Sequence, residues 1–253
     1  MNTAVMTERF AGASPRLQAR IAGGLYLINI VTGIFAIIFV RQALTVSGDA
    51  AATAANILAH EMRFRLGFAA EIVTCLTNIP MAVIFYNLFK VVNKNVARAD
   101  VFLNLVGTAI EGVVLVNHFA PLILLHGGGS LSVFSPAQLQ AQAYMSLQLQ
   151  DVGLSIALVF FGFDILVTGY LVFRSTFLPR FIGVLLAIEG VGYLINSFTL
   201  FLAPALQARI FPYFTITGIG EISLCVWLIV MGVNVERWWE KASVAGSSLV
   251  AGA

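Results

Sequence analysis

The sequence predicts an all-α, polytopic integral membrane protein of six transmembrane helices, with an echo of three repeated helical hairpins. Three observations predict it. Of 253 residues, 59% are hydrophobic and 10% charged, against about a quarter charged in a soluble domain, so the chain cannot cover a water-facing surface. Six apolar runs come close to or exceed the roughly 20 residues that a helix needs to cross a bilayer core. Lysine and arginine are absent from the interior of all six runs and gather in the connections.

The first run, residues 21–40, is too long for a signal-peptide core and meets Arg41 without a small-residue cleavage site, so it reads as a retained helix. The connection "SGDAAATAANILAHE" predicts a short helix with Asp49 as N-cap. Spans two and three are expected at residues 64–89 and 101–125. After them "HGGGS" has no following Lys-Ser/Thr and no preceding strand, which makes it a hinge rather than a phosphate-binding loop. "FSPAQLQAQAYMSLQLQ" predicts a second short helix, capped by Ser135 with Pro136 in its first turn, lying at the interface. Spans four to six follow at residues 152–173, 181–203 and 210–233. Trp238 and Trp239 are placed at the headgroups, and "ASVAGSSLVAGA" is expected to be disordered.

The chain thus divides into an N-terminal segment (1–19), a membrane domain (20–235) and an interfacial, disordered tail (236–253). Ten of the 14 basic residues fall on the side of both termini, which makes that side cytoplasmic by the positive-inside rule. A net charge of +2 offers no stripe for nucleic acid. Cys75 and Cys225 lie far apart in apolar runs and read as small buried hydrophobes.

The chemistry lies in the acids. Glu71, Glu111, Asp164, Glu189 and Glu221 fall inside spans, and Asp151 sits at the edge of span four. A carboxylate facing lipid is costly, so these side chains must face the bundle interior. Helical spacing agrees: Asn104, Glu111 and His118 share a face of span three, as do Glu71, Thr74 and Asn78 on span two. Glu189, Tyr193 and Asn196 share a face of span five, and Thr217 and Glu221 one of span six. "AIEGV" occurs in both span three and span five, and its two glutamates, Glu111 and Glu189, are expected to face each other across a shared polar core. With no lysine or arginine at that depth, burial and mutual repulsion favour the protonated acid for some of them. Each could serve as a proton carrier, a general acid, a cation ligand, or neutral glue between helices. His118 reads more readily as an imidazole bonded to Glu111 or a backbone carbonyl than as a metal ligand. HExxH, GxSxG and nucleotide-binding loops are absent, so no cofactor and no metal are expected.

Span one laid over span five puts Asn29 where Glu189 stands. Spans two, four and six each carry an early acid, Glu71, Asp151 and Glu221, which suggests three hairpins descended from one unit. "GDAAATAANILAHEMRFRLGFAAE", "GTAIEGVVLVN", "FSPAQLQA", "FFGFDILVTGYLVFRSTFLPRFIGVLLAIEGVGYLINSF" and "GEISLCVWLIVMGVN" resemble, in order and wording, a bacterial polytopic membrane family catalogued as domain of unknown function 4386. The resemblance covers residues 20–234 and implies a six-span inner-membrane protein without an assigned activity. It also implies histidine at the position of Asp164 in many members and aspartate at that of Asn196, so polar character is kept while the chemistry shifts.

Two functional readings follow. In the first, midplane carboxylates bind a proton or cation linked to transport of a small solute, through Glu71, Glu111, His118, Asp164, Glu189, Asn196 and Glu221. Six spans are few for such a carrier, for which a homodimer is the natural remedy. In the second, Glu111 and Glu189 act as general acid and base on a lipophilic substrate, oriented by His118 and Asn196. A scaffold held together by polar contacts is the third possibility.

Overall fold

The computed structural model describes residues 14–207, 209 and 218–251, and among these no strand forms. Helix α1, Pro15–Ile34, starts where Ser14 accepts a hydrogen bond from the Leu17 amide and Pro15 occupies the first turn, a place where the missing N–H costs nothing. It continues as a π-helical segment, Phe35–Gln42. Asp49 caps α2, Ala50–Ala59, by accepting from the Ala52 amide at 2.8 Å. α3 is Glu61–Phe89, and α4 is Lys94–His126 with Asn93 as its cap. Gly127, Gly128 and Gly129 all have positive φ, the backbone region that disfavours side chains. They make the hinge before a short 3-10 turn, Gly129–Val133. α5 is Pro136–Ser175, α6 Arg180–Leu202, α7 Ile219–Val230 and α8 Val235–Ala251.

The structure departs from the sequence reading in two places. The interfacial helix expected before span four is the first part of α5 itself, one helix of 40 residues with Ser135 and Gln138 forming a reciprocal capping box. At 1.5 Å per residue it is about 60 Å long, twice a bilayer core. No glycine or proline separates Gln150 from the apolar run, so nothing stops the helix. Residues 242–251 of the segment expected to be disordered belong to α8, which turns 103° from α7 after the positive-φ Gly232. Trp238 belongs to a tether there: its indole N–H donates to the Leu88 carbonyl at 3.0 Å, beside a bond from the Asn234 amide to the Phe177 carbonyl. The expected start of span six at Ile210, and Thr217, lie outside the described residues.

Five helices are long and apolar enough to cross a membrane, and the bent pair of α7 and α8, counted as one span, brings the number to six. α1 packs on α3, α3 on α4, α4 on α5, α5 on α6 and α6 on α7, and α7 returns to α1. The spans therefore form a closed ring in chain order. The bundle is inverted relative to a soluble one: Phe102, Val113 and Val116 are among the most exposed side chains, while His118, Gln150 and Glu189 are fully buried. That inversion is what lipid as solvent requires.

Small residues bring the helices close. On α5 and α6, Gly169 faces the Gly183 carbonyl, and Gly190 faces the Gly162 carbonyl. A Cβ built on Gly183 would stand 2.6 Å from the Gly169 oxygen, and one on Gly190 2.6 Å from the Gly162 oxygen. Backbone contact of this kind is how membrane helices gain packing without a hydrophobic driving force. Gly183→Ala and Gly190→Ala are each expected to lower stability by about 1–3 kcal/mol. Gly24, with nothing within 4 Å of an added Cβ, should tolerate alanine. Thermal unfolding in detergent measures all three, and equal midpoints would refute the close-packed seam.

Candidate functional site

Because the spans close into a ring, their polar stripes meet inside it. They enclose a cavity of about 540 Å³ to which all six contribute. On one side the ring is filled solid: Leu88, Phe89, Leu171, Val172, Ile182 and Leu228 form a dry core toward the end that carries Trp238. From that plug the cavity runs toward the opposite end, where Gln42 and Asn196 line it. Four acids face it, Asp100, Glu111, Asp164 and Glu221, and among the described lining residues there is no lysine, arginine or histidine.

Glu221 joins three helices. Its Oε1 accepts from the Tyr26 hydroxyl of α1 at 2.7 Å and its Oε2 from the Tyr193 hydroxyl of α6 at 3.0 Å. Its backbone amide, at the start of α7, donates to Glu189 Oε2 at 2.8 Å. α7 has no side-chain cap of its own, and Glu189 supplies one from α6, with its carboxyl at the positive end of the helix dipole. Gly220 leaves the room for it: a Cβ there would stand 2.5 Å from Glu189 Oε2.

Asp100 and Asp164 form the second acidic set. Their carboxyls are neighbours, each close enough to act on the other. Thr168 donates to Asp100 Oδ1 at 2.7 Å and Asn104 to Asp164 Oδ2 at 2.9 Å. Two neighbouring carboxyls repel each other when both are ionised, which makes the set responsive to any charge that enters. Glu111 stands apart from both sets, with Cys75 of α3 as its neighbour. On the α1 side Asn29 donates to the Thr74 carbonyl, Thr77 Oγ1 and Asn78 Oδ1, and Asn78 passes the chain on to Thr108.

A second polar cluster lies away from the cavity. His118 Nε2 is 3.2 Å from the Phe64 carbonyl, which only accepts, so that nitrogen carries a hydrogen. His118 Nδ1 is 2.7 Å from Glu71 Oε2. One proton therefore lies between imidazole and carboxyl, and the pair is neutral overall whichever atom holds it. Gln150 donates to both Glu71 oxygens, at 3.1 and 3.2 Å. Phe64 and Phe68 cover the imidazole.

The outcome for the expected residues is mixed. Glu111, Asp164, Asn196 and Glu221 line the cavity, and Glu189 touches it through Glu221. Glu71 and His118 meet each other instead. The expected pairing of Glu111 with Glu189 does not form: one is bonded to α3 and the other to α7. His118 finds the predicted backbone carbonyl but Glu71 in place of Glu111. An α-helix drifts about 20° per heptad, and over two heptads this carries His118 off the face of Asn104 toward α3 and α5. Asp100, Tyr26 and Gln150 were missed. Asp100 falls just outside the expected span three, residues 101–125, although Asn93 is a readable N-cap that places it two turns inside α4.

A family model described as "Domain of unknown function (DUF4386)" matches residues 21–232. The chain belongs to the DUF4386 family. An uncharacterized protein of Archaeoglobus fulgidus is 27% identical over 84 residues, which cover 33% of this chain and 49% of the relative. The DUF4386 chain thus spans about half the length of that relative. No solved structure matches.

The cluster around His118 allows a thermodynamic test. Glu71→Ala leaves two fully buried partners without their acceptor and should cost about 3 kcal/mol, as breaking a buried pair does. In a double-mutant cycle with His118→Ala, the two losses should fall short of additivity by about 1 kcal/mol or more. Additive losses in reversible unfolding in mixed micelles would show that the pair does not act as a unit.

Proposed function

We propose that the protein is a carrier of the bacterial inner membrane that moves a small solute in linkage with protons or cations through the central cavity. The observation that supports this reading is a cavity lined from every span, sealed by dry packing toward one end and reaching toward the other. Alternating access needs such a half-sealed site near the midplane. The acids suit the task. On this reading the Asp100–Asp164 set carries a proton that an entering positive charge displaces, and the Glu221 carboxyl sits on two phenols that can follow it as it moves. The Glu71–His118–Gln150 cluster, buried away from the cavity, takes the structural part by stapling α3, α4 and α5. A homodimer is the assembly in which six spans per chain suffice. On this reading both termini and the Trp238 end are cytoplasmic, since nine of the described basic residues stand there, and the cavity faces outward.

One observation favours an enzyme as the second reading. The Asp100–Asp164 set, in a cavity with largely apolar walls, is also what acid–base chemistry on a lipophilic substrate uses.

In liposomes loaded with a pH-sensitive dye, addition of small solutes from a panel of amines, sugars and amino acids is expected to move protons in the wild type. Asp164→Asn and Glu221→Gln, which keep shape and one acceptor oxygen while the new amide can donate to the oxygen of the other partner, should abolish that signal in protein that still folds. Proton movement retained in both variants would discard the carrier, and conversion of a lipophilic substrate without flux would put the enzyme in its place. The orientation has its own measurement. With Cys75 and Cys225 replaced by alanine, single cysteines at the exposed positions Ser47 and Ser130 should react with an impermeant reagent added to intact cells. Those at Asn95 and Ser243, also exposed, should react only after lysis, and the reverse pattern would invert the topology.

A further inference from the structure

We infer that the cavity takes a lipophilic organic cation, such as a quaternary or protonated amine or a phosphonium, whose charge replaces protons on the cavity carboxyls. The inference rests on the carrier reading and names its cargo.

Charge comes first. Four acids face the space and no basic side chain among the described lining residues answers them. Arg41, the nearest cation to Glu111, lies 3.3 Å from Asp151 in an ion pair of its own. Around the acids stand further acidic or neutral groups: Tyr26, Tyr193 and Glu189 about Glu221, and Cys75 with Glu71 near Glu111. Within low-dielectric walls a carboxylate is neutralised by a proton or by a cation from outside, and the two compete. One positive charge entering therefore releases one proton, and the charge in the cavity is conserved.

The walls then decide the kind of cation. Small hard ions require six or more oxygen ligands converging at one point. Here the acids are spread around the wall on three helices, and among the described residues no three His, Cys, Asp or Glu gather as a metal cage. Isoleucines of α1, with Met81, Leu158 and Leu186, make most of the surface, which strongly disfavours a hydrated ion. Tyr26, Phe85, Phe161 and Tyr193 stand among the acids, and aromatic rings are the side chains that attract organic cations. A volume of about 540 Å³ falls within the range of pockets that hold drug-sized molecules. A neutral solute would leave the carboxyls unused, and an anion would be repelled.

Equilibrium binding to the purified protein in detergent tests the inference without requiring transport. Tetraphenylphosphonium should bind saturably, release protons into weakly buffered solution, and bind more weakly as pH falls. Tetraphenylborate, of the same shape and opposite charge, should not compete. Asp164→Asn and Glu221→Gln should each weaken tetraphenylphosphonium binding about tenfold or more, as loss of a desolvated charge partner does. Glu61→Gln, at the surface ion pair with Arg65, should leave it unchanged. Unfolding midpoints of the same samples separate lost binding from lost folding, and the wild type decides alone if both variants fail to fold. Absence of saturable binding by the wild type of tetraphenylphosphonium, ethidium and dodecyltrimethylammonium overturns the inference, as does equal binding of tetraphenylborate. Binding with proton release but no flux in liposomes keeps the cation site and removes the carrier. Solute-driven flux without cation binding keeps the carrier and removes the cation.

Discussion

The carboxylate of Glu221 takes a phenol hydroxyl from each of the two helices that flank α7, Tyr26 on α1 and Tyr193 on α6, and the ring of spans closes through it. Hydrocarbon offers no partner for such a group, so its bonds have to be made inside the protein or not at all. The same constraint turns every other polar stripe inward and leaves isoleucine, valine and phenylalanine for the outside. The cavity follows from it, because side chains that must meet one another rather than lipid hold the helices around a common centre.

Polar side chains are used in two ways within this ring. The Glu71, His118 and Gln150 set is turned in on itself: each member is fully or almost fully buried, and His118 and Gln150 both spend their donors on Glu71 or its surroundings, leaving Gln150 Oε1 without a partner. Such a set fixes the register of three helices and offers nothing to a ligand. The cavity acids are open, in that their partners are phenols, amides and hydroxyls at the edge of a space rather than a complete shell. Glycine packing divides the labour further. The α5–α6 seam, backbone against backbone, leaves no freedom at that wall, whereas α1 ends in a π-helical segment beside the cavity, a geometry that recurs at functional sites.

The two "AIEGV" segments show why identical residues acquire different work. Glu189 lies beneath the start of α7 and caps it, because Gly220 lets that helix approach within hydrogen-bond distance. Glu111 faces α3, where Cys75 is its neighbour. Helical spacing fixed only the face of each glutamate on its own helix. Which helix stood opposite depended on the order of the ring, and a single sequence does not record that order.

Composition and the spacing of basic residues were enough to determine a helical membrane protein, its spans and the caps at Asp49 and Ser135, since these depend on neighbours along the chain. That buried acids would face inward was also legible, because lipid allows no other place. The boundaries that failed are those where a helix passes beyond the bilayer. Gln150 and Asp100 lie outside the apolar runs, yet regular backbone hydrogen bonding continues through them and brings both into the interior. The pairing of Asp100 with Asp164, of Glu71 with His118 and of Glu189 with the α7 amide was decided only by tertiary structure. Each joins residues distant in sequence, and which side chains meet is set by the packing of whole helices, through contacts such as Gly183 on Gly169, rather than by any local preference of the residues that pair.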